Sequence, residues 1–415
     1  MKIPRVILLL ALSLLPCLAS SQTLTPFAKL QGFSAQGAGI FDPQLHSPKS
    51  VSFSPKGDKI YINALESGKT LVYSFPGLKK LTSIDHQFGP NQQSLFLGQS
   101  TVFSYTFPPE VNRSRPNEFM GKPVEMAWSH QGRYLWVPYY RRSTDPRSAG
   151  PSAVAIIDTH VDQIVRVIPT GPLPKFVAIN PQSTQAVVVH WGDNTLMRID
   201  MPELDPKTWK VAQHWTVEKQ LNTSHVGKDR DRQCGYCLRG AVFTHDGKYL
   251  LVGRMGGGGL AGFNAQTGQY LGTVRSIAAT PRHLVLSKNG QTLWVTSNVS
   301  GILTRLSTEN LITALLQAKG KTIDLPRGQE LSVGAGARTV SVDHNEKYAY
   351  VATNTARKIA VVDLVSWKVV GSQSASPFPV GLAVSPNGCY VASTSQGKAG
   401  QGGGNAVDIF NTCKP

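Results

Sequence analysis

Five cations recur at one place in a repeated phrase of this chain. Lys49, Lys175, Arg239, Arg282 and Arg338 each stand five residues ahead of a short polar turn, and Val124 and Val380 fill the same place in two further copies. Bringing such charges together is costly unless acids, counter-ions or an anionic ligand compensate. Glu125 and His283, which directly follow the aligned residue in their own copies, are the candidate partners. The chemistry open to this set is anion recognition, because guanidinium groups present paired N–H donors to carboxylate or phosphate oxygens. The alternative is that the cations pair with acids of neighbouring repeats and serve only the scaffold. A second group adds aromatic and basic side chains: Tyr139, Tyr140, Arg141 and Arg142; His190, Trp191 and Asp193; and Arg254 beside the run Gly256–Gly259. Rings interleaved with arginine suit flat anions or single-stranded nucleic acid, by stacking plus charge. The alternative for Tyr139 and Trp191 is packing under the loops. The glycine run lacks the Gly-Lys-Ser/Thr and the helix of a phosphate loop, so it reads as a bare turn that lets a ligand or a cap approach.

The elements that must position these groups are short strands. The turns begin at Ser54, Ser129, Asn180, Thr244, Ser287, Asp343 and Ser385, each preceded by one β-rich segment and followed by two more. Arg239–Asn264 shows the pattern most clearly, with Tyr249–Gly253 and Leu260–Phe263 as its second and third strands. Polar–glycine turns between alternating β-formers signal hairpins. Seven copies predict an all-β fold, a seven-bladed β-propeller of four-stranded blades occupying residues 22–415 as one domain. A fourth strand is legible in six copies, for instance from Gln163, Gln269 and Lys368, but the seventh runs out of chain at Pro415. An uncovered edge invites unwanted pairing. Phe27–Ser34 is therefore expected to supply the last outer strand and close the ring. Insertions at 89–122 and 218–239, and a shorter one at Arg141–Gly150, fall in loops that propeller geometry places on one face, the top, together with the aligned cations.

Tyr350-Val351-Ala352-Thr353-Asn354 is close to the motif that names the YVTN-repeat propellers, and Leu293–Asn298 (LWVTSN) is a looser copy. The Pro-x-x-apolar entry at Pro48, Pro174, Pro281 and Pro379 is also typical of that family. On these motifs Pro48–Cys413 resembles the YVTN-repeat propellers, while the Gly-His and Trp-Asp signature of WD40 repeats is absent. The resemblance implies the same fold and three kinds of activity: binding proteins, lactonases and cofactor-bearing electron-transfer domains. In the lactonase reading, His283 or Glu125 would act as base for water and Arg338 would hold the developing oxyanion. No Gly-x-Ser-x-Gly, His-Glu-x-x-His or Walker motif occurs. The leading expectation is a non-catalytic binding propeller, a monomer without metal or cofactor. Its basic mouth would take an anionic ligand: nucleic acid, envelope polymer or partner protein. The lactonase-like hydrolase is the alternative and the electron-transfer propeller a third.

Lys2 and Arg5, the apolar run Val6–Leu15 and small residues near Ser20 read as a cleavable secretory leader over 1–21, too short to span a membrane. The mature chain is expected to be periplasmic or secreted. Its formal charge of +17 falls to +15 once Lys2 and Arg5 leave, which favours anionic partners. Four cysteines then remain. An exported chain with an even count points to disulfides. Cys389 and Cys413 are expected to meet across paired strands and pin the C-terminus. Cys234 and Cys237 leave three readings open: a local disulfide, a metal site with His225, Asp229 or Asp231, or redox exchange.

Overall fold

Each polar turn works for the same backbone reason. Its closing residue must adopt a left-handed conformation, and glycine does so without a Cβ clash. Gly57, Gly247, Gly290 and Gly388 have φ between 69° and 74°. Each donates its N–H to the first turn residue, as Gly247 does to Thr244 at 2.9 Å. Ser183 and Glu346 take the left-handed conformation without glycine in their copies.

In a computed structural model, which describes residues 23–33, 39–101, 117–148, 150–222, 229–397 and 404–413, these turns join strands into seven sheets, antiparallel except where a short extra strand adds in parallel to the outer edge of blades four and seven. The leader, Ser34, the turn near Gly400 and His225 lie outside the described residues. Blades one, three and six are plain four-stranded sheets. Blade four runs Leu238–Phe243, Tyr249–Arg254, Leu260–Asn264 and Tyr270–Arg275. In blade seven, Thr25–Gln31 pairs antiparallel with Ala406–Asn411, Lys29 opposite Asp408 and Leu30 opposite Val407. The N-terminal segment thus supplies the outer strand, as the missing fourth strand required.

Alternation along the strands gives every sheet two apolar faces. Among the described residues they meet in seven hydrophobic clusters, one for each neighbouring pair of blades. The cluster between blades seven and one contains Leu30, Val407 and Ile409 together with Val51, Ile60 and Ile62, so the ring is closed by side-chain packing as well as by strand pairing. Tyr350–Asn354 is buried within blade six, which assigns the YVTN-like segment to scaffold.

Two features depart from the expected pattern. The end of the first insertion, Phe119–Pro123, is itself a strand, which pairs with the long second strand of blade two, Tyr134–Arg142. In blade five a helix, Thr308–Ala318, separates the third strand from the fourth, Gln329–Ser332. Ser307 caps it by accepting from the Asn310 N–H. Leu311, Ala314, Leu315 and Ala318 form its buried face, at the three- and four-residue spacing of one helical stripe. Leu315 lies against Gly262 of blade four, where a Cβ would collide with its side chain.

Candidate anion-binding site at the channel mouth

The aligned position lies at the start of each blade's first strand, and its backbone ties neighbouring blades together. The carbonyl of Arg338 accepts from Thr296 Oγ1 at 2.8 Å, and that of Val380 accepts from Thr339 Oγ1 at 2.7 Å. Just below runs a cavity of about 250 Å³, lined by Ser50, Glu125, Phe176, His283, Thr339 and Gly381, which come from six different blades. This is the central channel, and the five cations stand at its entrance.

Their charges are unevenly met. Arg239, 4% exposed, donates to Glu125 Oε1 at 2.5 Å. Lys175 Nζ lies 2.6 Å from Asp231, which reaches in from the second insertion. The same ammonium sits 3.9 Å from the centre of the Trp191 ring and 4.7 Å from that of Tyr140, so it is held in a half-cage of aromatic faces. Arg282 donates to the sulfur of Met255 at 3.2 Å, and Arg338 lies 5.7 Å over the ring of Phe378. Both are buried, 8% and 9% exposed, and among the described residues neither has a carboxylate partner.

Crowding shows in the protonation equilibria. Burial, then Arg338 and Arg239, push the Arg282 guanidinium well below its ordinary range against the opposing Glu125 and Asp231, and burial and Arg239, with Glu125 opposing, bring Arg338 down to about 9. Burial raises the Glu125 carboxyl, but Arg239, Lys49, His283 and Arg282 together outweigh it and hold the group below the usual value. Burial lowers His283 to about 4, and its buried Nδ1 has no hydrogen-bond partner.

Lys175 falls from 10.5 to about 7, chiefly through burial, with Asp231 opposing and Arg239 reinforcing. Between those two values the unfolded chain binds a proton that the folded chain lacks, so stability rises with pH. Urea titrations of wild type and Lys175→Gln should therefore diverge in favour of wild type from about pH 7 to 10.5 and run parallel below pH 7. A difference that stays flat across that window overturns the assignment.

Several residues of the aromatic group are not at the mouth. Tyr139 is fully buried: the added strand Phe119–Pro123 covers it, its ring packs on Gly121, and its hydroxyl meets His86 Nδ1 at 2.9 Å. His190 is also fully buried, with Nδ1 at 2.8 Å from Thr195 Oγ1 and Nε2 accepting from the Gly171 N–H. Asp193 and His214 stand near it, with one donor atom of each within 4.8 Å of the others. Both ring nitrogens of His190 are already engaged, so the cluster reads as a structural network. Arg254 is buried beneath the Tyr236 ring and bonded to Glu218 and Thr273. Arg141 donates to the Pro146 carbonyl at 2.7 Å. Trp191 remains at the rim through Lys175 and donates its indole N–H to the Asp231 carbonyl. Tyr140 belongs to the aromatic group expected on this face, and its ring meets Lys175; Asp231, which the sequence offered only as a metal ligand beside Cys234, is instead the partner of Lys175.

Cys234 and Cys237 are disulfide-bonded, as are Cys389 and Cys413. The first bond closes a loop that lies on the glycine run, since a Cβ on Gly256 would strike the carbonyl of Gly235. The bare turn therefore admits a cap, and the cap is the cysteine loop. A thiolate metal site is excluded by this pairing, and Asp231 is already engaged by Lys175. Among the described residues no helix is long and apolar enough to cross a membrane.

A family model described as lactonase, 7-bladed beta-propeller, matches residues 118–399. None of the curated proteins matches at a significant level. Among solved structures, the Kuenenia stuttgartiensis hydrazine synthase aligns with a TM-score of 0.60 at 13% identity, covering 92% of this chain and 99% of that one. The Cps50 (Swd1) β-propeller domain of Myceliophteria thermophila aligns with a TM-score of 0.60 at 15% identity, over 89% of this chain and 97% of that one. A chain of the mitotic checkpoint complex aligns at 0.59 with 11% identity, over 99% of this chain and 100% of that one. At such identities the likeness is one of fold alone.

Proposed function

The chain belongs to the lactonase family of seven-bladed β-propellers, and from that footing we propose that it is an exported binding propeller whose channel mouth takes a small carboxylate-bearing anion. One observation carries the reading. Among the described residues Arg282 and Arg338 are buried without a carboxylate within ion-pair distance, while Glu125 and Asp231 bond Arg239 and Lys175. Buried charges are tolerated when paired, so two guanidinium groups facing one channel call for an anion from outside. Export rests on the leader-like start and on two disulfides, which suit an oxidising compartment.

Small mono- and dicarboxylates at low salt should raise the thermal midpoint of the wild type. A ligand at a hundred times its Kd adds about 2.7 kcal/mol to the folded state. The Arg282→Gln/Arg338→Gln double variant should lose that response. A midpoint that no carboxylate moves removes the proposal.

A hydrolytic reading is kept alive by a separate observation. Glu125 and the unpartnered Nδ1 of His283 line the same cavity, beneath the arginines. Turnover of a lactone that His283→Ala abolishes would favour it over simple binding.

A further inference from the structure

The disulfide loop Cys234–Cys237 stands between two residues of the mouth. Asp231, just before it, holds Lys175 at 2.6 Å, and Arg239, just after it, holds Glu125. The loop lies flat on the glycine run, where a Cβ at Gly256 would stand 3.1 Å from Cys237 Sγ. Met255 and Gly256 donate their N–H groups to the carbonyls of Cys237 and Tyr236, at 3.3 and 2.9 Å. Met255 in turn sets its sulfur 3.2 Å from Arg282 Nη1. A short chain of contacts thus joins the disulfide to a buried arginine of the mouth.

The shape of the loop depends on the bond. Cys237 has a φ of 48°, in the left-handed region that a residue with a Cβ seldom adopts. Such a conformation persists where the surroundings impose it, and here a ring closed through sulfur does so. Once the ring opens, Cys237 relaxes toward extended backbone and the segment lengthens. Cys234 is 4% exposed and Cys237 is half-buried, so an external thiolate reaches Cys237 first. The acid that the loop carries is set among cations. Asp231 bonds Lys175, and its charge also acts on Arg282 and on Lys49, whose Nζ meets the neutral amide oxygen of Gln396 at 3.3 Å. It answers from within the chain part of the charge that an external carboxylate would answer, so the two compete.

We infer that the Cys234–Cys237 loop is a redox-operated cap: a dithiol opens it, Asp231 withdraws from Lys175, and the mouth binds an external carboxylate more tightly. The inference rests on the carboxylate reading of the mouth and gives that site a regulator. One thiolate of the dithiol attacks Cys237 Sγ, the S–S bond breaks, and Cys234 leaves as thiolate. The second thiolate then attacks the dithiol's own sulfur in the mixed disulfide and releases Cys237. Two electrons pass from the dithiol, which ends as a disulfide, and its two protons pass to the cysteines.

The test uses the whole mature chain, oxidised or treated with dithiothreitol. Succinate is titrated calorimetrically at low salt, hydrogen exchange is followed over 229–239, and alkylation mapping scores the thiols. Reduction should free Cys234 and Cys237 and speed exchange of the Tyr236 and Cys237 amides, which Asn194 Oδ1 and the Cys234 carbonyl hold in the closed loop. It should tighten succinate about tenfold, the worth of one charge-assisted contact no longer contested. Cys234→Ser/Cys237→Ser, which leaves the Cys389–Cys413 bond in place, should show the tight value without reductant and no response to it. Asp231→Asn should show it with the disulfide intact and exchange still slow, and it carries the test if the serine variant does not fold. Equal or weaker succinate binding by the reduced wild type overturns the cap and leaves the carboxylate site standing. A disulfide that dithiothreitol leaves intact, or exchange that reduction leaves unchanged, also overturns the cap. If succinate binds no form of the protein, the carboxylate reading and its regulation fall together.

Discussion

Glu125→Gln is expected to cost the folded protein about 3–5 kcal/mol at neutral pH, the usual effect of breaking a buried ion pair from one side. The carboxylate bonds Arg239 directly, and Lys49, His283 and Arg282 add to the charge it answers. Glutamine keeps the shape and one acceptor oxygen but removes the negative charge, so the loss reports electrostatics and not a cavity. The folded-state pKa of Glu125 lies below its ordinary 4.5. Its stabilisation is therefore fully present above about pH 4.5 and is lost as pH falls through the folded value. Urea unfolding at pH 7 should show the full deficit, and the two proteins should converge at strongly acid pH. A carboxylate ligand at pH 7 should restore part of the loss by replacing the missing charge. A deficit below about 1 kcal/mol at pH 7, the worth of an exposed pair, would mean that the cluster is already balanced by solvent.

Removal of residues 23–31 should open the ring. The third strand of blade seven, Ala406–Asn411, would lose every partner it has in Thr25–Gln31 and stand as a bare edge. Leu30, fully buried, and Leu24, 6% exposed, would leave the clusters that join blade seven to blades one and six. The truncated protein is expected to elute as aggregates in size-exclusion chromatography. The milder Leu30→Ala should keep the elution volume of the wild type and cost about 2–5 kcal/mol by urea titration, the range for a fully buried leucine. The Cys389–Cys413 bond joins the ends of the second and third strands and cannot replace the outer one. A truncation that elutes as the wild type does, with an unchanged midpoint, would show that closure by this strand contributes nothing.

What the chain determined by itself is whatever its neighbours along the sequence dictate. Polar turns, two-residue alternation and the count of seven phrases led to the propeller, because each hairpin is specified within about twenty residues. The missing fourth strand of the last copy pointed to Phe27–Ser34, and the place of Cys389 and Cys413 on adjacent strands pointed to their bond. The recurrence of Lys49, Lys175, Arg239, Arg282 and Arg338 was equally legible, since a repeat maps one position to one place in the ring. The helix Thr308–Ala318 escaped because its stripe lies inside a blade, where two strands were already accounted for on either side. Which charges are answered was decided only by tertiary structure. Glu125 meets Arg239 across two blades, Asp231 turns back onto Lys175, and Gln396 reaches Lys49 only because the ring brings the last blade beside the first. Tyr139 and His190 sit beside exposed-looking loop residues in sequence, yet one is roofed by an inserted strand and the other is sealed by a backbone amide and a threonine. Local periodicity carries no information about partners that far apart along the chain. Burial and pairing at the mouth follow from closure of the ring, and they single out Arg282, Arg338 and Lys49 from five cations that the sequence had left equivalent.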